Sequence, residues 1–137
     1  MLKAKNILLV DDDSDDRELF LEAVGEIDPA IKCSTAENGE KALQLLRLME
    51  PLPDLIFLDL NMPCVDGREC LARIKMADRL RNIPVVIYTT SASPKDIIDT
   101  RELGAFCFST KPASYRALKK VIEDILFGRS VPAPMAF

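Results

Sequence analysis

The chain of 137 residues contains no histidine. That gap removes Ser-His and Cys-His nucleophile activation, histidine-based metal sites, and any phosphohistidine the protein could build on itself. The four cysteines, Cys33, Cys64, Cys70 and Cys107, show no C-x-x-C spacing. Buried free thiols are therefore expected, rather than zinc ligands or disulfides. No apolar run approaches the length of a membrane span. The apolar part of MLKAKNILLV is too short, and too soon followed by acids, for a signal peptide. No membrane contact and a cytoplasmic location are expected. Positive charge is outweighed, with 18 Lys and Arg against 22 Asp and Glu, and the net charge of -4 argues against nucleic-acid binding. No internal repeat, low-complexity tract or interdomain linker interrupts the chain.

What is present is alternation. Short β-rich runs, NILLV (6–10), IKCST (31–35), DLIFLD (54–59), PVVIYT (84–89) and AFCFS (105–109), alternate with amphipathic stretches. This is the pattern of a parallel sheet with helices on both faces, an α/β (βα)5 domain. The near-continuous hydrophobicity of the first, third and fourth runs marks central strands, and the alternating second run an edge. A first helix behind a Ser14 cap buries Phe20, Ala23, Val24 and Ile27, with Asp15 and Asp16 in its dipole-favoured first turn. A second helix spans about 39–49. Asp66 and Glu69 open the third, and SPKD (93–96) opens the fourth, which Gly104 ends. The fourth has the thinnest apolar stripe, Ile97, Ile98 and Leu103, and should be the least firmly docked. The fifth buries Leu118, Val121, Ile122 and Ile125. The domain is expected over residues 1–127, with 128–137 as a flexible tail.

In an open parallel sheet the ligand site lies beyond the carboxyl ends of the strands. Here the first strand ends in Asp11 and Asp12, the third in Asp59, the fourth in Thr89 and Thr90, and the fifth runs on to Lys111. Three carboxylates at one edge repel one another by a few kcal/mol at an effective dielectric near 20. A cation is required among them. Carboxylates, a backbone carbonyl and waters suit magnesium, Mg2+, and Lys111 adds a fixed positive charge.

The motifs ILLVDD (7–12), DLIFLDLNMPCVDG (54–67), IPVVIYTT (83–90) and GAFCFSTKP (104–112) together resemble the receiver domain of two-component response regulators, over roughly residues 5–127. The resemblance implies a CheY-like, flavodoxin-like doubly wound fold with strand order 2-1-3-4-5. It implies Asp59 as the phosphoryl acceptor and Asp11 and Asp12 as the metal-holding acids, with Asp12 the more direct ligand. Asn61 is implied to contribute its backbone carbonyl to the metal. Thr89 is implied as the switch hydroxyl, Lys111 as the partner of a phosphoryl oxygen, and Phe108 as the aromatic switch, here without the hydroxyl of the commoner Tyr. It further implies a cis Lys111–Pro112 bond, and a role for Asn61 and Ser91 beside the path of the hydrolytic water.

With no histidine in the chain, the phosphoryl group must come from a histidine kinase or phosphotransfer protein. The output is expected at the face of the fourth helix, fifth strand and fifth helix, towards an unknown downstream protein. VVIYTTSASPKD and the acidic start of the first helix resemble, more loosely, stand-alone receivers associated with phytochrome-type kinases, some of which form homodimers through that face. The chain ends after the fifth helix, so a stand-alone response regulator is expected rather than an enzyme. Two alternatives stay open: an aspartyl-phosphate-forming Mg2+ phosphohydrolase, and a pseudo-receiver independent of phosphorylation. Against the first, the position two residues past Asp59 is Asn61 rather than a second Asp, and no segment is long enough for a substrate cap. Within the acidic run, Asp11 and Asp12 are assigned to the metal and Asp15 and Asp16 to the helix start, while Asp13 is expected to face solvent.

Overall fold

Each of the five helices starts behind a side chain that accepts a hydrogen bond from its first turn: Asp13, Asn38, Asp66, Ser93 and Ser114. A computed structural model describes residues 4–62, 65–90 and 93–128. Its elements are β1 (Asn6–Val10), α1 (Ser14–Ile27), β2 (Lys32–Ala36), α2 (Gly39–Leu48), β3 (Leu55–Leu58), α3 (Gly67–Met76), β4 (Val85–Thr89), α4 (Pro94–Glu102), β5 (Cys107–Thr110) and α5 (Tyr115–Leu126). The strands form one parallel sheet in the order β2-β1-β3-β4-β5. Among the described residues no helix is long and apolar enough to cross a membrane.

The period of two along each strand divides the core. Leu8, Val10, Ile56, Leu58 and Ile87 pack with Leu46 of α2 and Leu71 and Ile74 of α3. On the other face Ile7, Leu9, Phe57 and Val86 pack with Phe20 and Val24 of α1 and Leu118 and Ile122 of α5. The strands β1, β3 and β4 are buried throughout, as their unbroken hydrophobicity requires, while β2 is half open at the edge.

Three local expectations are corrected. The cap of α1 is Asp13, not Ser14: its Oδ1 accepts from the N–H groups of Asp15 (2.9 Å) and Asp16 (3.1 Å), and its carbonyl takes the first helical bond, from Arg17. Ser14 therefore lies inside the helix. The strand β5 starts at Cys107 rather than at residue 105, because the Ala105 N–H turns back to the Thr100 carbonyl of the preceding helix (3.0 Å). The strand β2 runs one residue further than expected, to Ala36, which stands opposite Val10.

Helix α4 buries Thr100 alone, and the Thr100 hydroxyl donates back to the carbonyls of Asp96 (2.8 Å) and Ile97 (3.2 Å). Ile98 stays 53% exposed. Much of its attachment is ionic: Arg68, at the start of α3, pairs with Asp96 and reaches Asp99 at 3.5 Å. Gly104, at φ +101°, supplies the left-handed turn that ends the helix segment.

Cys33, Cys70 and Cys107 are free thiols, pushed up to about 12 by burial, so they are protonated and inert as nucleophiles at neutral pH. Cys64, Ser91 and the expected tail from 129 onward lie outside the described residues.

Candidate functional site

The carboxyl ends of β1, β3, β4 and β5 meet at one edge of the sheet, and the first residues past them build the site. Asp11 follows β1 and is fully buried. Its N–H donates to the Ala36 carbonyl (3.0 Å), its Oδ1 accepts from the Asp13 N–H (3.0 Å), and its carbonyl accepts from the Arg17 guanidinium (2.7 Å). Asp59 follows β3 and is 4% exposed. Its N–H donates to the Val10 carbonyl (3.0 Å) and its Oδ1 accepts from the Asn61 N–H (3.1 Å). Asp12, the neighbour of Asp11, is exposed.

One carboxylate oxygen from each of Asp11, Asp12 and Asp59 lies within 4.8 Å of the other two. At about 4 Å, like charges repel by roughly 4 kcal/mol at an effective dielectric of 20. The arrangement holds only with cations beside it. Lys111 supplies one. Its Nζ is 2.7 Å from Asp11 Oδ2, 2.8 Å from Asp16 Oδ2 and 3.1 Å from Asp59 Oδ2, and it lies 5.7 Å from the centre of the Tyr88 ring. Burial alone would pull the ammonium down, but its hydrogen bonds to Asp11 and Asp16 and the charge of Asp59 prevail and hold it well above the ordinary lysine value. Burial pushes the Asp11 carboxyl up against the opposing pull of Lys111. Four carboxylates, of Asp11, Asp12, Asp16 and Asp59, thus stand against one ammonium. The hard oxygen donors and the surplus negative charge fit a divalent cation held by Asp11, Asp12 and Asp59.

Thr89, the last residue of β4, is fully buried, and its hydroxyl accepts from Asn61 Nδ2 (3.2 Å). Its carbonyl accepts from the Lys111 N–H (2.7 Å). Phe108 stands opposite Ile87 in the sheet and is fully buried in the core beneath α4. The site residues expected from the sequence, Asp11, Asp12, Asp59, Asn61, Thr89 and Lys111, therefore come together, with Phe108 one layer below.

Three features depart from expectation. Asp16 is not merely a helix-start acid, since its carboxylate reaches Lys111. The signal was in the sequence: Asp16 stands four residues before the buried Phe20, on the same face of α1. The cis bond among the described residues is Glu50–Pro51, and Lys111–Pro112 keeps the trans form, which X-Pro bonds favour by about 0.5–1 kcal/mol. Gly67 also shapes the site, although no side chain marks it in the sequence. A Cβ there would lie 2.3 Å from the Asp59 carbonyl oxygen, so only glycine lets the start of α3 pass this close to Asp59.

An acid cluster and a lysine at the carboxyl edge of a 2-1-3-4-5 sheet mark a domain of phosphoacceptor signalling. The family model of the response regulator receiver domain matches residues 7–123, and the chain belongs to that family. The response regulator Rcp1 of Synechocystis sp. is 37% identical over 126 residues, 88% of this chain and 86% of that protein. The probable methanogenesis regulatory protein FilR2 of Methanothrix harundinacea is 37% identical over 123 residues, 87% of this chain and 79% of its own length. The structure of the phosphorylated cyanobacterial phytochrome response regulator RcpA superposes with a TM-score of 0.83 at 36% identity, over 94% of this chain and 99% of that one. The Mn(2+)-bound form of Rcp1 superposes with a TM-score of 0.76 at 35% identity, over the same shares of both chains.

Proposed function

We propose that Asp59 accepts a phosphoryl group from the phosphohistidine of a histidine kinase or phosphotransfer protein. The observation that supports this most directly is the Lys111 ammonium 3.1 Å from a buried Asp59 carboxylate at the edge of an acid cluster. A carboxylate oxygen attacks phosphorus, the donor's P–N bond breaks, and the electron pair returns to the imidazole. No general base is needed, so positioning and charge neutralisation carry the reaction. Asp11 and Asp12, with Asp59 and the backbone carbonyl of Asn61, would hold Mg2+, and the Mn(2+)-bound form of Rcp1 supports a divalent ion here. When bound, the ion neutralises charge on the phosphoryl oxygens.

Lys111 and the Thr89 hydroxyl bind the new phosphoryl oxygens, and Thr89 leaves Asn61 to do so. This movement draws the chain after β4, and Phe108 follows it. The weak apolar docking of α4 supports a changed face at α4, β5 and α5 as the output, where Ile98 (53%) and Phe106 (55%) are exposed for a protein partner or a second copy of the chain. The setting is cytoplasmic. Turnover of a separate phosphoester is disfavoured, because Asn61 occupies the position where a second catalytic acid would be needed.

Incubation with acetyl phosphate and Mg2+ followed by intact-mass measurement is the test. A gain of one phosphoryl group that Asp59→Asn abolishes is expected. No gain, or a gain that survives the substitution, overturns the proposal.

A further inference from the structure

The ammonium of Lys111 has three N–H bonds to give. Three carboxylate oxygens, from Asp11, Asp16 and Asp59, lie within 2.7–3.1 Å of it. An incoming phosphoryl oxygen can be bound by Lys111 only if one of the three is released. Asp59 carries the group and stays beside the lysine. The Asp11 side chain is fully buried, and its Oδ2 has no hydrogen-bond partner among the described residues besides the ion contact to Lys111. Losing that contact would leave a bare charge away from water. The Asp16 side chain is 33% exposed, so water can take over its bond. Its main chain is fixed meanwhile, because its N–H is held by the Asp13 cap at 3.1 Å.

We infer that Asp16 is a positioning residue for the phosphoacceptor reaction: it holds Lys111 in the resting state and competes with the phosphoryl group for it. The inference rests on the assignment of Asp59 and Lys111 proposed above. Capture of a phosphoryl group is then an exchange, in which the Asp16–Lys111 ion pair breaks to water and the Lys111–phosphoryl pair forms. Asp15, its exposed neighbour in the same helix turn, has the same relation to the helix dipole and no contact with Lys111, and serves as the control.

The experiment titrates beryllofluoride, a tetrahedral phosphoryl mimic, into the full chain with Mg2+ and follows the lifetime of the acetyl phosphate-derived phosphoprotein by intact mass. Asp16→Asn should tighten beryllofluoride binding about threefold to fivefold, the scale of one partly exposed ion pair, and lengthen the phosphoryl lifetime. Asp16→Glu should stay within about twofold of wild type because it restores the charge. Asp15→Asn, which removes a helix-start charge but no contact with Lys111, should leave beryllofluoride binding within about twofold of wild type. A purely structural role for Asp16 cannot produce a gain in affinity. Wild type that takes up the phosphoryl group, with Asp16→Asn binding the mimic no tighter, overturns the inference alone. Wild type that takes up no phosphoryl group overturns the assignment of Asp59, and this inference with it.

Discussion

Gly67 sits where the start of α3 crosses the chain that follows β3. Its N–H donates to the Leu60 carbonyl (3.1 Å), and a methyl group there would meet Asp59 O at 2.3 Å and Leu60 Cα at 2.5 Å. Both obstacles are backbone, so they cannot rotate away. Gly67→Ala should cost about 1–3 kcal/mol of stability, read by denaturant titration, and slow phosphorylation because Asp59 itself is displaced. At this scale the strand-end acids and Lys111 were legible from the sequence, because residues at the carboxyl ends of parallel strands must converge. The neighbouring choices were not. Ser14 and Asp13 are equally good caps on propensity, and only the carbonyl that takes the first helical bond separates them. That one-residue difference also fixes the turn from which Asp16 reaches Lys111.

Among the elements, α4 differs from the others in what holds it. Its apolar stripe is thin, and Arg68 ties it to α3 through Asp96 and Asp99, while Lys95 donates to Asp99 (2.7 Å). The hydrogen bond from Lys95, with the nearby Arg68, holds the Asp99 carboxyl below its ordinary value. Arg68→Ala should therefore raise amide hydrogen exchange in α4 a few-fold and leave β1 and β3 unchanged, measured by native-state exchange. Equal exchange in all elements would show that Arg68 does not anchor the helix. The thin stripe was visible in Ile97, Ile98 and Leu103. The Arg68 tie was not, because it joins residues about thirty apart in the sequence through side chains that any surface could display.

Over the whole molecule, the carboxyl edge of the sheet concentrates Asp11, Asp12, Asp16 and Asp59 around one lysine, in a chain whose net charge is only -4. A cation that binds this edge binds the folded state alone, since the strands bring the acids together. At a hundred times its Kd, Mg2+ should add about 2.7 kcal/mol of stability, or roughly 10 °C in melting temperature for a domain of this size. Chelation should reverse it. Asp12→Ala should abolish the shift, whereas Asp16→Asn should keep it, because Asp16 lies outside the three-acid cluster. Two-sided burial made the fold readable as a whole: the near-continuous apolar runs of β1, β3 and β4 point to a sheet covered on both faces.

The inward turn of the Thr100 hydroxyl has a consequence for how freely α4 can be substituted. A helix whose one buried side chain satisfies itself on its own backbone draws little on the core, so substitutions on the outer face of α4, away from Asp96 and Asp99, should change stability by no more than about 0.5 kcal/mol.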